Sequence, residues 1–136
     1  MNFKTLEEIK AKMAAMQFDE AFDAIVAIAN GGILPATLLA EVLGLKVECI
    51  KINYRDACHT PVREKPELLE TFTTDIAGKK ILLVDDRVKT GATLNYARQL
   101  LTEKGAIVKT LALNGPADYP LYNEACFKVL TTETQL

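Results

Sequence analysis

Two aspartates stand side by side at Asp85 and Asp86, followed by Arg87-Val88-Lys89-Thr90-Gly91-Ala92-Thr93. Adjacent carboxylates repel, and they coexist when they accept hydrogen bonds or meet a cation. Sugar hydroxyls are such donors, and Mg²⁺ is such a cation. Thr90, Gly91 and Thr93 lead into a helical pattern. A helix start offers unpaired backbone N–H groups and a partial positive charge, which suit a phosphate. Gly91 allows close backbone approach, and the threonine hydroxyls add donors. A ligand with a ribose diol at the acids and a phosphate at the helix start meets both demands. A second polar break, Asn30-Gly31-Gly32, ends an apolar run.

These residues need elements to hold them. Thr5-Leu6-Glu7-Glu8 reads as a capping box, and Leu6, Ile9, Met13 and Met16 recur at helical spacing. The pattern predicts an amphipathic helix over 5–17. Residues 23–29 (DAIVAIA) form a buried strand stopped by the Asn30 loop. Residues 33–43 restore a helical period, with Pro35 in the first turn and Gly44 as C-cap. Residues 46–53 alternate as a second strand, 80–84 (KILLV) form a third, and 107–113 a fourth. A helix runs from Gly91 to Lys104 and ends at Gly105. Residues 125–130 suit a last short strand. Tyr54 to Gly78 is polar, carries Pro61 and Pro66, and has room for a short helix at 67–70. Long irregular segments of this kind often act as lids. Strands alternating with helices predict an α/β fold, a mostly parallel twisted sheet flanked by helices. Ligands bind such sheets at the carboxyl ends of the strands, where the Asn30 and Asp85 loops lie.

Bulk composition narrows the function. The chain has 136 residues, enough for one domain over 1–136. With 49% apolar and 25% charged residues it is an ordinary globular sequence. A net charge of −2 with no basic run disfavours nucleic-acid binding, which rests on neutralising phosphates. The longest apolar run is too short for a membrane span, and no signal-peptide core precedes Glu7 and Glu8. A cytoplasmic location is expected. Three cysteines without C-x-x-C spacing suit reduced thiols, with Cys49 and Cys126 as small core residues. The lone His59 excludes a metal site built on histidine pairs. The dinucleotide-binding glycine pattern and the P-loop are both absent. Phosphoacceptor receiver domains carry their acidic pair after the first strand, whereas here it follows the third.

The stretch ILLVDDRVKTGAT resembles the phosphoribosyl-pyrophosphate (PRPP) motif of type I phosphoribosyltransferases: an apolar strand, two acids, a short spacer and Thr-Gly-x-Thr. Asn30-Gly31-Gly32-Ile33-Leu34-Pro35-Ala36 looks like the pyrophosphate loop of that family, and Tyr54–Gly78 lies where the family has its mobile loop. The nearest likeness is to the short bacterial purine enzymes. The resemblance implies that fold, with a small irregular hood from the termini. It implies that Asp85 and Asp86 hold the ribose 2′- and 3′-hydroxyls. Val88, Lys89, Thr90, Gly91, Ala92 and Thr93 would cradle the 5′-phosphate, and Asn30, Gly31 and Gly32 would face the pyrophosphate. Mg²⁺ would be held mainly through substrate oxygens, with no protein ligand singled out. The implied reaction transfers the phosphoribosyl group from PRPP to a purine-like nucleobase with release of pyrophosphate. A homodimer is the family's common state.

Lys51, Arg55, Arg63, Lys65, Arg87 and Lys89 lie on or beside these loops as candidate phosphate contacts, Arg55 and Lys89 foremost, and Tyr54 is a candidate hinge anchor. The acceptor side departs from the pattern. The short bacterial 6-oxopurine enzymes commonly have a basic residue before the paired glycines, and this chain has Asn30. They place a lysine that reads the base where this chain has Leu113-Asn114-Gly115-Pro116. They stack the base on an aromatic near the C-terminus. Tyr119, Tyr122 and Phe127 are the candidates here, with Phe127 also suited to core packing. The alternative reading is a PRPP-binding sensor of the same fold without turnover.

Overall fold

A computed structural model describes residues 2–53 and 67–130. Its main sheet has six strands in the order β4-β3-β2-β5-β6-β7. These are β2 (Ala24–Ala29), β3 (Val47–Asn53), β4 (Glu67–Leu68), β5 (Lys80–Arg87), β6 (Ile107–Asn114) and β7 (Tyr119–Tyr122). All neighbours run parallel except β4, which is antiparallel to β3. A separate pair, β1 (Asn2–Thr5) and β8 (Phe127–Leu130), joins the two ends of the described chain in parallel.

Three helices cover the sheet: α1 (Leu6–Ala15), α2 (Ile33–Leu43) and α3 (Ala92–Glu103). The expected capping box starts α1. Thr5 Oγ1 accepts from the Glu8 N–H at 3.1 Å, and Glu8 Oε1 accepts from the Thr5 N–H at 3.3 Å. Gly44 closes α2 in the left-handed region, at φ 69°. Ile9 and Met13 of α1 and Ala36, Leu38 and Leu39 of α2 bury one sheet face, against Ile25, Ala27, Leu82 and Val84. Leu94, Ala97 and Leu101 of α3 bury the other, against Val26, Ile28, Ile81 and Leu83. Strand side chains alternate between faces, so a strand covered on both sides reads as the unbroken apolar run seen in β2 and β5.

Several elements differ from the sequence expectation. The third strand continues through Asp85, Asp86 and Arg87, because β6 extends beside it and pairs Asp85 with Ala112 and Arg87 with Asn114. Glu67–Leu68 forms a strand rather than a helix, since the edge of β3 supplies backbone partners there. The hood of the termini is more regular than expected, being the β1–β8 ladder. The second half of the Tyr54–Gly78 segment is anchored: Phe72 and Ile76 are buried in the α3-side core. Residues 54–66, with Tyr54, Arg55, Cys58, His59, Arg63 and Lys65, lie outside the described residues. Cys49 and Cys126 are exposed rather than buried. On β3 it is Ile50 and Ile52 that turn inward, which leaves the alternate positions Cys49 and Lys51 facing out.

Candidate active site

From β2 the chain crosses through α2 on one face, and from β5 it crosses through α3 on the other. The neighbouring strands β2 and β5 therefore part at their carboxyl ends, a topological switch point where a crevice opens. A cleft of about 790 Å³ lies there, within the usual range for a small-molecule site. Asn30 and Gly31 line it from the β2 exit. Asp85, Asp86, Arg87, Val88, Lys89, Thr90, Gly91, Ala92 and Thr93 line it from the β5 exit and the start of α3.

Each part has a local cause. Asp85 Oδ1 accepts from the Asp86 N–H at 2.9 Å, and Asp86 Oδ1 accepts from the Arg87 N–H at 2.7 Å. Both carboxylates thus curl back on the chain at the strand end. Gly91 takes a left-handed conformation at φ 84°, which turns the chain into α3. Thr90 Oγ1 accepts from the Ala92 N–H at 3.2 Å. The next N–H groups of the first turn have no partner within the helix and open toward an anion. Val88 contributes main chain rather than side chain, since its isopropyl group is buried in the core. The Ala29–Asn30 peptide is cis. Gly31 brings the β2 exit against the Asp86 carboxylate, and a Cβ there would lie 2.6 Å from its carboxyl carbon. Gly32 is not on the cleft wall. It is buried, and a Cβ added to it would meet the backbone of Ile28 and Val84.

Asp85 is 9% exposed. Burial first, and then the charge of Asp86, push its carboxyl up to about 8. An acid with a raised pKa holds a proton in the native state that the unfolded chain has released. Between about pH 4 and pH 8 stability therefore falls as pH rises. The melting temperature of the ligand-free protein is expected to drop from about pH 5 to pH 8. Asp85→Asn should flatten that decline, which paired thermal melts across the range will read. A slope unchanged by the substitution would place the titrating group elsewhere.

The candidate cations separate. Arg87 and Lys89 line the cleft and are exposed. Lys51 does not line it, and its Nζ lies 3.1 Å from Glu70 Oε1. The cleft is also lined by residues that the sequence patterns did not single out for the site: Ile52, Cys126 and Val129, beside Phe127. Their signal was weak, because apolar residues next to a strand end read as core. Phe127 both lines the cleft and stands edge-on to Tyr122, with ring centroids 5.2 Å apart. Tyr122 is buried, and Tyr119 packs edge-on against Phe18 and Phe22. Of the three aromatic candidates, Phe127 is the one on the cleft wall. Asn114 also lines the cleft, with its side-chain amide bonded to the backbone of Glu124.

Paired acids at one strand end share a crevice with a helix start in this α/β protein. Comparison with known proteins gives the family. The phosphoribosyl transferase domain model matches residues 3–135, and the chain belongs to that family. It is 28% identical over 103 residues to a xanthine-guanine phosphoribosyltransferase of Idiomarina loihiensis, covering 74% of this chain and 63% of that protein. It is 32% identical over 118 residues to an adenine phosphoribosyltransferase of Treponema denticola, covering 82% and 61%. The chain thus spans about six tenths of the length of these curated relatives. A purine phosphoribosyltransferase from Pyrococcus horikoshii shares the fold, with a TM-score of 0.75 at 22% identity, covering 95% of this chain and 92% of that one.

Proposed function

We propose that this chain transfers the 5-phosphoribosyl group of PRPP to a ring nitrogen of a purine base, releasing pyrophosphate. The observation that carries this reading is the sharing of one cleft by Asp85, Asp86 and the helix-start loop. The aspartates accept from the ribose 2′- and 3′-hydroxyls. Lys89, the Thr90 and Thr93 hydroxyls, and the main chain of Val88, Gly91 and Ala92 hold the 5′-phosphate. Asn30 and Gly31 face the pyrophosphate with their main chain, and Gly32 supports them from beneath. Arg55, two residues past the end of β3 in the sequence, belongs to the proposed phosphate contacts.

Bond formation from nitrogen to the anomeric carbon accompanies cleavage of the bond to pyrophosphate. Positive charge gathers on the sugar and negative charge on the leaving group. Catalysis then consists of positioning, with fixed charges and dipoles placed where charge develops. Mg²⁺ fits the donor set, because it takes hard oxygen ligands and usually keeps one or two carboxylates beside substrate phosphates. Substrate oxygens would supply most of its ligands; among the described residues no three His, Cys, Asp or Glu converge as a metal set. When bound, it offsets the charge of the pyrophosphate.

We further place the protein in the cytoplasm, as a homodimer, on the family's usual state. Among the described residues no helix is long and apolar enough to cross a membrane. Incubation with PRPP, Mg²⁺ and a panel of nucleobases tests the reading, with pyrophosphate and nucleotide as the measured products. Nucleotide from at least one purine supports it. PRPP binding without product from any base would favour the sensor reading, and no PRPP binding would overturn both.

A further inference from the structure

Asn114 ends β6 and is 7% exposed. Its side-chain amide pairs with one peptide unit at both ends. Nδ2 donates to the Glu124 carbonyl at 3.1 Å, and Oδ1 accepts from the Glu124 N–H at 3.0 Å. Its own carbonyl accepts from the Val88 N–H at 2.9 Å. Val88 opens the helix-start loop on one wall of the cleft. Glu124 stands just before Cys126 and Phe127, which form another part of the same cleft's wall. One buried residue therefore ties both parts of the wall together, its main chain to the phosphate side and its side chain to the other.

Among the described residues the connection from β7 to β8 has little else to fix it. Asn123, Glu124, Ala125 and Cys126 are all exposed. Lys4 braces it from outside, with Nζ 2.7 Å from Glu124 Oε1 and 4.5 Å from the Tyr122 ring centroid. We infer that Asn114 is a positioning residue for the acceptor. It sets the distance from the phosphate-binding loop to the wall that carries Cys126 and Phe127. A ligand that reaches both walls depends on it, and a ligand confined to the sugar side does not. This rests on the transferase reading of the cleft.

The two kinds of ligand are available as probes. PRPP occupies the sugar-phosphate side, and a purine nucleoside 5′-monophosphate extends across to the acceptor wall. Asn114→Asp keeps the side-chain volume and sets an oxygen against the Glu124 carbonyl, and Asn114→Ala removes the pairing. Both keep the main-chain bond to Val88, so PRPP is an internal control. Calorimetry with Mg²⁺ should show mononucleotide binding weakened by at least about tenfold and PRPP binding within about twofold. In turnover, KM for the base should rise more than KM for PRPP.

An equal loss for both ligands, or no loss for the mononucleotides, would overturn the inference, as would a wild type that binds PRPP but no mononucleotide. A wild type that binds neither overturns the transferase reading and this inference with it. If the Asn114 variants do not fold, Lys4→Met loosens the same connection from outside. It should give the same split at about threefold, and an even loss there counts against the proposal.

Discussion

Asp85→Asn combined with Asp86→Asn is expected to abolish PRPP binding while the protein stays folded. Hydrogen bonds to a charged group contribute about 1.5–3 kcal/mol each, so losing both carboxylates weakens the ribose grip by more than about 100-fold. The fold has no need of these charges. Asp85 is buried, and that burial and the charge of Asp86 push its carboxyl up to about 8. Asparagine keeps the size and one acceptor oxygen toward the next N–H. The double variant should therefore melt at or above the wild-type temperature near pH 8, because an unfavourable buried charge has gone. Calorimetry with PRPP and Mg²⁺, beside a thermal melt, reads both quantities. Wild-type affinity in the double variant would remove the aspartates from the site.

The two neighbouring glycines should fail in opposite ways. At Gly31 an alanine Cβ would come within 2.6–2.7 Å of the Asp86 carboxyl carbon and Oδ1. A side-chain end can swing aside, so Gly31→Ala should fold. The displaced carboxylate should cost about tenfold or more in PRPP affinity. At Gly32 the added carbon would meet the Val84 carbonyl at 2.5 Å and the Ile28 carbonyl at 2.7 Å. Those atoms belong to two central strands and cannot yield cheaply. Gly32 has φ −77°, which any residue adopts, so the demand for glycine is one of space alone. Overpacking of this kind costs about 1–3 kcal/mol and more against rigid backbone, a large share of a domain's stability. Gly32→Ala should thus lower the melting temperature sharply or give no soluble protein. A stable Gly32→Ala with normal affinity, or an unfolded Gly31→Ala, would reverse the assignment.

Most of the frame was legible because its causes are local. The capping box at Thr5, the αL cap at Gly44 and the apolar runs of β2 and β5 each carry their own signature. The gathering of Asp85 to Thr93 on one cleft was legible for the same reason, since these residues are contiguous. What stayed hidden depends on distant partners. Asn2–Thr5 becomes a strand only beside Phe127–Leu130, and β7 carries Pro120 on an edge where a sheet tolerates it. Glu67–Leu68 follows its neighbour β3 rather than its own helix propensity. The pairing of Asn114 with Glu124 escaped because Asn114, next to Gly115 and Pro116, reads as a strand breaker. Its partner is a backbone peptide ten residues on, and backbone has no sequence signature.

The β1–β8 ladder has a consequence for the order of assembly. Strands 2–5 and 127–130 are separated by nearly the whole described chain, so a growing polypeptide on the ribosome lacks the second until every strand of the six-stranded sheet has emerged. The six-stranded sheet can condense before that point, and the ladder cannot. A nascent chain therefore completes the crevice between β2 and β5 first and the part of its lining that carries Phe127 last. Contacts of such long sequence separation are entropically costly to close, and a two-stranded ribbon is marginal alone. Slow-exchanging amides should accordingly concentrate in β2, β5 and β6, with those of β1 and β8 opening at lower free energy.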